Sequence, residues 1–205
     1  MSKLKNFLLQ IYWYCRRTLL PPKLPKNSDG KVYINLGSGG KTGSEFINVD
    51  TRVLPNIHHI SDITNLHFFP DNSADMIYAC HVVEHIPRSL LLSTLSEWKR
   101  VLKSGGIFRF AVPDFDALVE IYNESGKSVV AIENQLMGQD APYHNHCSIW
   151  NRSYAEQILK KVGFISIQAW DPKSAEHHAF NDKSERIMTA GEKNIPISLN
   201  LEAIK

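Results

Sequence analysis

Val32-Tyr33-Ile34-Asn35-Leu36-Gly37-Ser38-Gly39-Gly40 is a short apolar, β-branched run that breaks into glycines. That pattern is how a buried parallel strand hands over to a ligand-binding turn. Glycines suit the turn because its backbone takes positive φ and approaches a ligand that a Cβ would push away. Working outward, a second run, Phe46-Ile47-Asn48-Val49, ends in Asp50. An acid at the tip of the next strand is the residue type that grips the two hydroxyls of a ribose. Glycine turn and terminal acid together read as a site for a nucleoside-bearing cofactor.

Further along, His58 to Ile63 reads as a third short strand ending at Asp62, and Ala74 to Cys80 as a fourth. A helix is predicted from near Ser89, with Leu91, Leu95, Trp98 and Leu102 on one face. Lys103-Ser104-Gly105-Gly106 is predicted to close it with a left-handed glycine cap. Ile107 to Val112 is the fifth strand, followed by Pro113-Asp114 and a helix with Ala117, Leu118, Ile121 and Tyr122 facing in. Ser153 with Glu156 predicts a capping box for a helix carrying Ile158, Leu159 and Val162, ended by Gly163. Phe164–Trp170 and Ile195–Ala203 read as two final strands, while 171–194 is left open between a lid and an interface. Strands alternating with helices mean an α/β sheet, mostly parallel, with ligands at the carboxyl ends of its strands.

The chain has 205 residues, 43% hydrophobic and 21% charged, ordinary values for a soluble globular protein. A formal net charge of +2 does not argue for nucleic acid, and no lysine-arginine stripe with interleaved aromatics marks one. Cys15, Cys80 and Cys147 are too few and too far apart for a disulfide framework, which fits a reducing cytoplasm. Residues 1–25 are set apart from a main domain at 26–205. In them Leu4, Phe7, Leu8, Ile11, Tyr12, Cys15 and Leu19 recur at helical spacing beside Lys3, Lys5, Arg16 and Arg17. The apolar run is short of the ~20 residues a membrane span needs. Two readings stay open: a helix docked on protein, or a basic amphipathic helix making peripheral membrane contact through residues 3–20.

The segments "INLGSGG", "INVD", "SDI", "FPDNSADMIYACHVVEHI" and "EWKRVLKSGGIFRFAVPD" together resemble a class I S-adenosylmethionine-dependent methyltransferase. The kind they resemble is the small bacterial, type 11-like one. The resemblance covers roughly residues 31–170, and "ISLNLEA" resembles the family's closing antiparallel strand. It implies a Rossmann-like, mostly parallel seven-stranded sheet with helices on both faces and S-adenosyl-L-methionine as cofactor. It further implies that Gly37, Ser38 and Gly39 line the methionine part and that Asp50 takes the ribose. Asp62 would take the adenine amino group, with the Ile63 amide facing a ring nitrogen. Cys80, His81 and Val82 would pass the methyl donor. Asn35 stands where many relatives carry an acid, so the methionine ammonium meets an amide without countercharge. Only Lys41 to Glu45 separate the glycine turn from the second strand, too few for the family's usual helix.

Methyl transfer from a sulfonium is an in-line displacement at an activated carbon. Alignment can supply about 7–11 kcal/mol, against roughly 3–5 kcal/mol for a general base. For an oxygen acceptor the candidate bases are His81, Asp114, His144 and His146. Gln139, His144 and His146 are candidates to hold the acceptor, a small molecule or carbohydrate. Asp114 reads equally as a helix cap, and the histidines as structural or loop residues. His81-Val82-Val83-Glu84-His85 matches the H-x-x-E-H pattern of a zinc protease. It directly follows a strand, with Pro87 close behind, so no metal site is assigned. Two rival functions are a nicotinamide-dependent oxidoreductase and a cofactor-binding scaffold that has lost catalysis. Bunched glycines and the missing helix disfavour the oxidoreductase.

Overall fold

The computed structural model describes all residues except 1–7, 9–10, 13, 16–18, 21, 41–42 and 140–144. In chain order the strands are β1 (Tyr33–Leu36), β2 (Phe46–Asp50), β3 (His59–Ile60), β4 (Ala74–Cys80), β5 (Leu102–Pro113) and β6 (Ile165–Ala169). A hairpin of β7 (Ile187–Ala190) and β8 (Lys193–Pro196) follows, and then β9 (Ser198–Ile204). Four helices are described after residue 80: α1 (Arg88–Val101), α2 (Phe115–Glu124), α3 (Glu133–Met137) and α4 (Arg152–Val162). The main sheet has the order β3-β2-β1-β4-β5-β9-β6. Strands β1 to β5 pair in parallel, and β9 lies antiparallel between β5 and β6. Seven strands, mostly parallel, with an antiparallel closing strand are the architecture that the family resemblance implies.

One face of the sheet presents Ile34, Leu36, Ile77, Ala79, Phe108 and Phe110. Against it pack Leu91, Leu95 and Trp98 of α1 and Ala155 and Leu159 of α4, all buried. The Trp98 indole donates to the Ile63 carbonyl at 2.8 Å, so its one polar atom is satisfied inside the core. The opposite face presents Tyr33, Phe46, Met76, Tyr78 and Ala111. With no room for a helix between β1 and β2, a distant segment covers it. Phe180 stacks edge-on against Phe46 and Tyr78, His178 against Tyr78, and His177 tilts over Tyr33. The Tyr78 hydroxyl donates to Asp182, and Arg109, paired with Glu202, donates to the Glu176 carbonyl and lies over Trp170. Residues 171–186 are thus a strap across the sheet. The β7–β8 hairpin beyond it packs Ala190 and Ile195 on Leu118 and Ile121 of α2.

Four local expectations are corrected. α1 stops at Val101 because Leu102 is already extended and pairs with Ala74. Pairing resumes at Met76 with Ile107, so Lys103–Gly106 loop out within β5, and Gly105 takes its positive φ there rather than as a helix cap. α4 is capped by Asn151, whose side chain accepts from Tyr154 N, and no Ser153–Glu156 box forms. Glu156 pairs instead with Arg152 and Lys160 one turn either side. Ile195–Ala203 is split at Ile197 between the hairpin and β9, and the third strand shrinks to two residues.

In the amino-terminal segment Leu8, Ile11, Tyr12, Tyr14, Cys15 and Leu19 are helical and exposed. Lys3, Lys5, Arg16 and Arg17 lie outside the described residues. Among the described residues no helix is long and apolar enough to cross a membrane.

Candidate active site

The carboxyl ends of β1, β2 and β4 converge on the glycine turn. Gly37 has φ +61, donates to Val49 O at 2.8 Å, and sits so close to Val82 that a Cβ would stand 2.5 Å from its Cγ2. Any other residue there would push the turn away from the segment that follows β4. Gly39, with φ +55, donates its amide to Asp50 Oδ2 at 2.8 Å, and the Asn56 amide holds the Gly39 carbonyl at 2.9 Å. Asp50 is only 4% exposed. Burial pushes its carboxyl up, but the Arg52 guanidinium and the amides of Arg52 and Gly39 outweigh that and hold it below the usual range. Ser38 Oγ is buried without a hydrogen-bond partner among the described residues. A buried carboxylate, an orphaned hydroxyl and a turn that admits only glycine fit the ribose and methionine portions of a nucleoside cofactor.

Other residues singled out from the sequence fall in three places. Asn35 is buried in β1. Asp62 is exposed and accepts from Thr64 N at 2.9 Å in a turn after β3, with Ile63 half-buried beside it. Cys80 lies on the strap side, and burial, then Asp182, pushes its thiol up, so it is a packing group with little thiolate character.

His81 directly follows β4 in the left-handed region at φ 51, a conformation that costs a non-glycine residue energy and concentrates at functional sites. Its Nε2 lies 3.0 Å from Ser198 Oγ and its Nδ1 3.2 Å from Glu84 Oε1. Glu84 is completely buried in a 3₁₀ turn, Val83–His85, and among the described residues its two oxygens have no hydrogen-bond partner of good geometry. Burial raises its pKa, but His81 overcomes this and holds the carboxyl ionised. The turn carrying Glu84 is short and precedes α1, so the long helix of a zinc protease is not formed.

Asp114 is half-buried and caps α2, accepting from Asp116 N at 3.1 Å; burial raises its pKa. The segment after α3 folds back on itself. Gly138 bridges Asn145, His146 N donates to Met137 O, and Cys147 N donates to the Glu84 carbonyl at 2.7 Å. This return brings His146 beside the strand ends, where it lines a cleft with Pro113, Phe115, Leu118, Gln135, Ser148 and Trp150. Burial pushes the His146 imidazole down, so it is neutral at physiological pH. Gln139 is exposed on the same return, and His144 lies outside the described residues. Gln135, whose side chain lines the cleft, carries no sequence signal, because nothing around it separates it from a helix-surface glutamine. Arg52 does carry one that sequence reasoning missed: an arginine two residues past an expected ribose acid.

The methyltransferase-domain family model matches residues 43–110, about a third of the chain. No curated protein matches the sequence. Among solved structures, an S-adenosylmethionine-dependent methyltransferase from Archaeoglobus fulgidus is similar at TM-score 0.54 and 16% identity, covering 95% of this chain and 93% of its own. One from Thermotoga maritima is similar at TM-score 0.53 and 15% identity, covering 100% of this chain and 95% of its own. At such identities the likeness is one of fold. The fold is that of these S-adenosylmethionine-dependent methyltransferases, and the family match falls on the stretch from β2 to the first part of β5 within it.

Proposed function

We propose that the chain methylates a hydroxyl of a small molecule or sugar-like acceptor held in the cleft between α2, α3 and the 145–150 segment. The observation that carries this reading is His146, a neutral imidazole facing a cleft that mixes the aromatic edge of Phe115 with the polar groups of Gln135 and Ser148. An alcohol keeps its proton at neutral pH, so a neutral acceptor of that proton helps it attack, whereas positioning supplies the larger share of the rate. Asp114 lies in the chain between the cleft residues Pro113 and Phe115, but its bond as the α2 cap makes it the poorer base. In this reading Gln139, and His144 outside the described residues, help to hold the acceptor. Asp62 and the Ile63 amide hold the adenine, and Asn35 and Cys80–Val82 line the methyl donor.

Residues 26–205 would form the catalytic unit, working in the cytoplasm. Residues 3–20 would rest on a membrane surface, a reading supported by the exposed Leu8, Ile11 and Tyr12. The test is methyl transfer from labelled S-adenosylmethionine to a panel of glycosides, simple alcohols and amines, with products identified by mass. Labelled methyl ethers support the reading; methylation of amines alone overturns it.

A further inference from the structure

Glu84, His85 and His146 come from two separate segments, yet they each present a ligand atom within 4.8 Å of the other two. Backbone carbonyls fix the tautomers of both rings. His85 Nδ1 lies 3.0 Å from Asn145 O, and His146 Nδ1 lies 2.9 Å from Gln135 O. A carbonyl only accepts, so each Nδ1 carries the proton and each neutral ring has its lone pair on Nε2. An imidazole tied through one nitrogen to a carbonyl, which leaves the other for an ion, is the usual posture of a metal-binding histidine. The third group is a carboxylate with no solvent exposure whose oxygens, among the described residues, have the His81 ring at 3.2 Å but no well-aligned hydrogen bond, so a cation would compensate it further. His81, 3.2 Å from Glu84 Oε1, stands behind the carboxylate where a supporting residue would orient it.

We propose that Glu84, His85 and His146 bind a divalent transition-metal ion of the zinc, cobalt or iron type. Two imidazoles and one carboxylate suit those borderline ions, whereas magnesium and calcium prefer sites made of oxygen. The ion would clamp the turn after β4 to the 145–148 segment, already joined there by the amide of Cys147 on the Glu84 carbonyl. Three protein ligands leave a tetrahedral ion with one open position, as in catalytic rather than structural sites. Because His146 also lines the cleft, the ion lies at its edge. With it bound, activation of an acceptor oxygen passes from the His146 ring to the metal. That last consequence rests on the methyl-transfer reading; metal binding does not.

The experiment is titration of the tag-free, metal-depleted protein with Co(II), followed by its visible bands and by calorimetry, without cofactor or acceptor. Expected are saturation at one ion per chain, displacement by Zn(II), and an affinity lowered about tenfold or more in His85→Ala and His146→Ala. His67→Ala, at an exposed ring elsewhere, should leave the titration unchanged. Circular dichroism and S-adenosylmethionine binding verify that each variant is folded. Glu84→Gln should behave like the histidine variants if it folds, and the two histidines decide the matter if it does not. Absence of saturable binding, or binding unaltered in both histidine variants, overturns the proposal. Either result leaves the hydroxyl-methylation reading to its own assay, where chelation of the ion tests the link between the two.

Discussion

The guanidinium of Arg52 grips the carboxylate of Asp50 with two bonds, Nε to Oδ1 at 3.0 Å and Nη2 to Oδ2 at 2.9 Å. The Asp50 side chain is buried and the Arg52 side chain 54% exposed, so the arginine is the partner able to move. Ribose hydroxyls must take up acceptor positions that the arginine now fills. Replacing Arg52 by Ala should therefore tighten S-adenosylmethionine binding severalfold, and calorimetric titration reads the change. A weaker complex would mean that Arg52 itself contacts the cofactor.

Removal of the carboxylate has the opposite sign. Asp50→Ala deletes charge-assisted bonds to ribose and should weaken cofactor binding by roughly 1–3 kcal/mol. Titration with S-adenosylhomocysteine gives the same comparison without turnover. Unchanged affinity would remove Asp50 from the site.

Stability should fall on mild acidification, and the sign follows from burial. The His178 ring sits between Tyr78, Trp170 and Phe180, and burial lowers its pKa below the ordinary 6.5 despite the opposing pull of Asp182. His146 is lowered by burial as well. For a depressed histidine, stability is fully present above the unfolded pKa. It is lost as pH falls through the folded one, because the unfolded chain takes up the proton first. Thermal melts from about pH 7.5 down to about pH 5.5 should show a declining Tm, with the decline setting in near the unfolded value. His178→Phe should flatten part of that slope. A Tm independent of pH would mean that the ring titrates freely.

The sheet was readable in the sequence because parallel strands are near-continuous apolar runs, and those of β1, β2 and β4 end at a glycine turn or a polar residue. The cofactor cradle was readable for the same reason: Gly37, Gly39 and Asp50 are local to the ends of those runs. The strap was not. His177, His178 and Phe180 pack ring against ring with Tyr33, Tyr78 and Phe46 across 100 or more positions of chain, and no local periodicity encodes a partner so distant. The Glu84–His85–His146 cluster escaped on similar grounds. The H-x-x-E-H spacing was visible, but its meaning depended on a helix, and β4 runs into a 3₁₀ turn instead. His146 reaches Glu84 only through the fold-back after α3. Helix ends were misjudged wherever the tertiary structure overrode a local signal, as when pairing of Leu102 with Ala74 stopped α1 before its glycines.

The strap's anchorage makes a stability prediction. Tyr78→Phe removes the hydroxyl that donates to Asp182 and leaves that half-buried carboxylate with the Ser184 amide but one donor fewer. A loss of about 1–3 kcal/mol is expected in urea unfolding. Cofactor affinity should change little, because Tyr78 faces the strap rather than the glycine turn.

Deletion of residues 1–20 separates the two readings of the amino-terminal helix. Leu8, Ile11, Tyr12 and Leu19 are all exposed, so the apolar side chains described there add little to the buried core. The truncated chain should keep its Tm and its S-adenosylmethionine affinity. On a membrane surface, each basic residue near anionic lipid contributes about 1 kcal/mol, and burial of the apolar side chains adds to it. The full chain should therefore co-sediment with anionic vesicles, and the truncated one should stay in the supernatant. Binding should weaken as salt is raised, since the attraction is screened. If truncation instead lowers the Tm, the helix is docked on the catalytic unit. If vesicles of any charge fail to retain the full chain, the surface-helix reading falls.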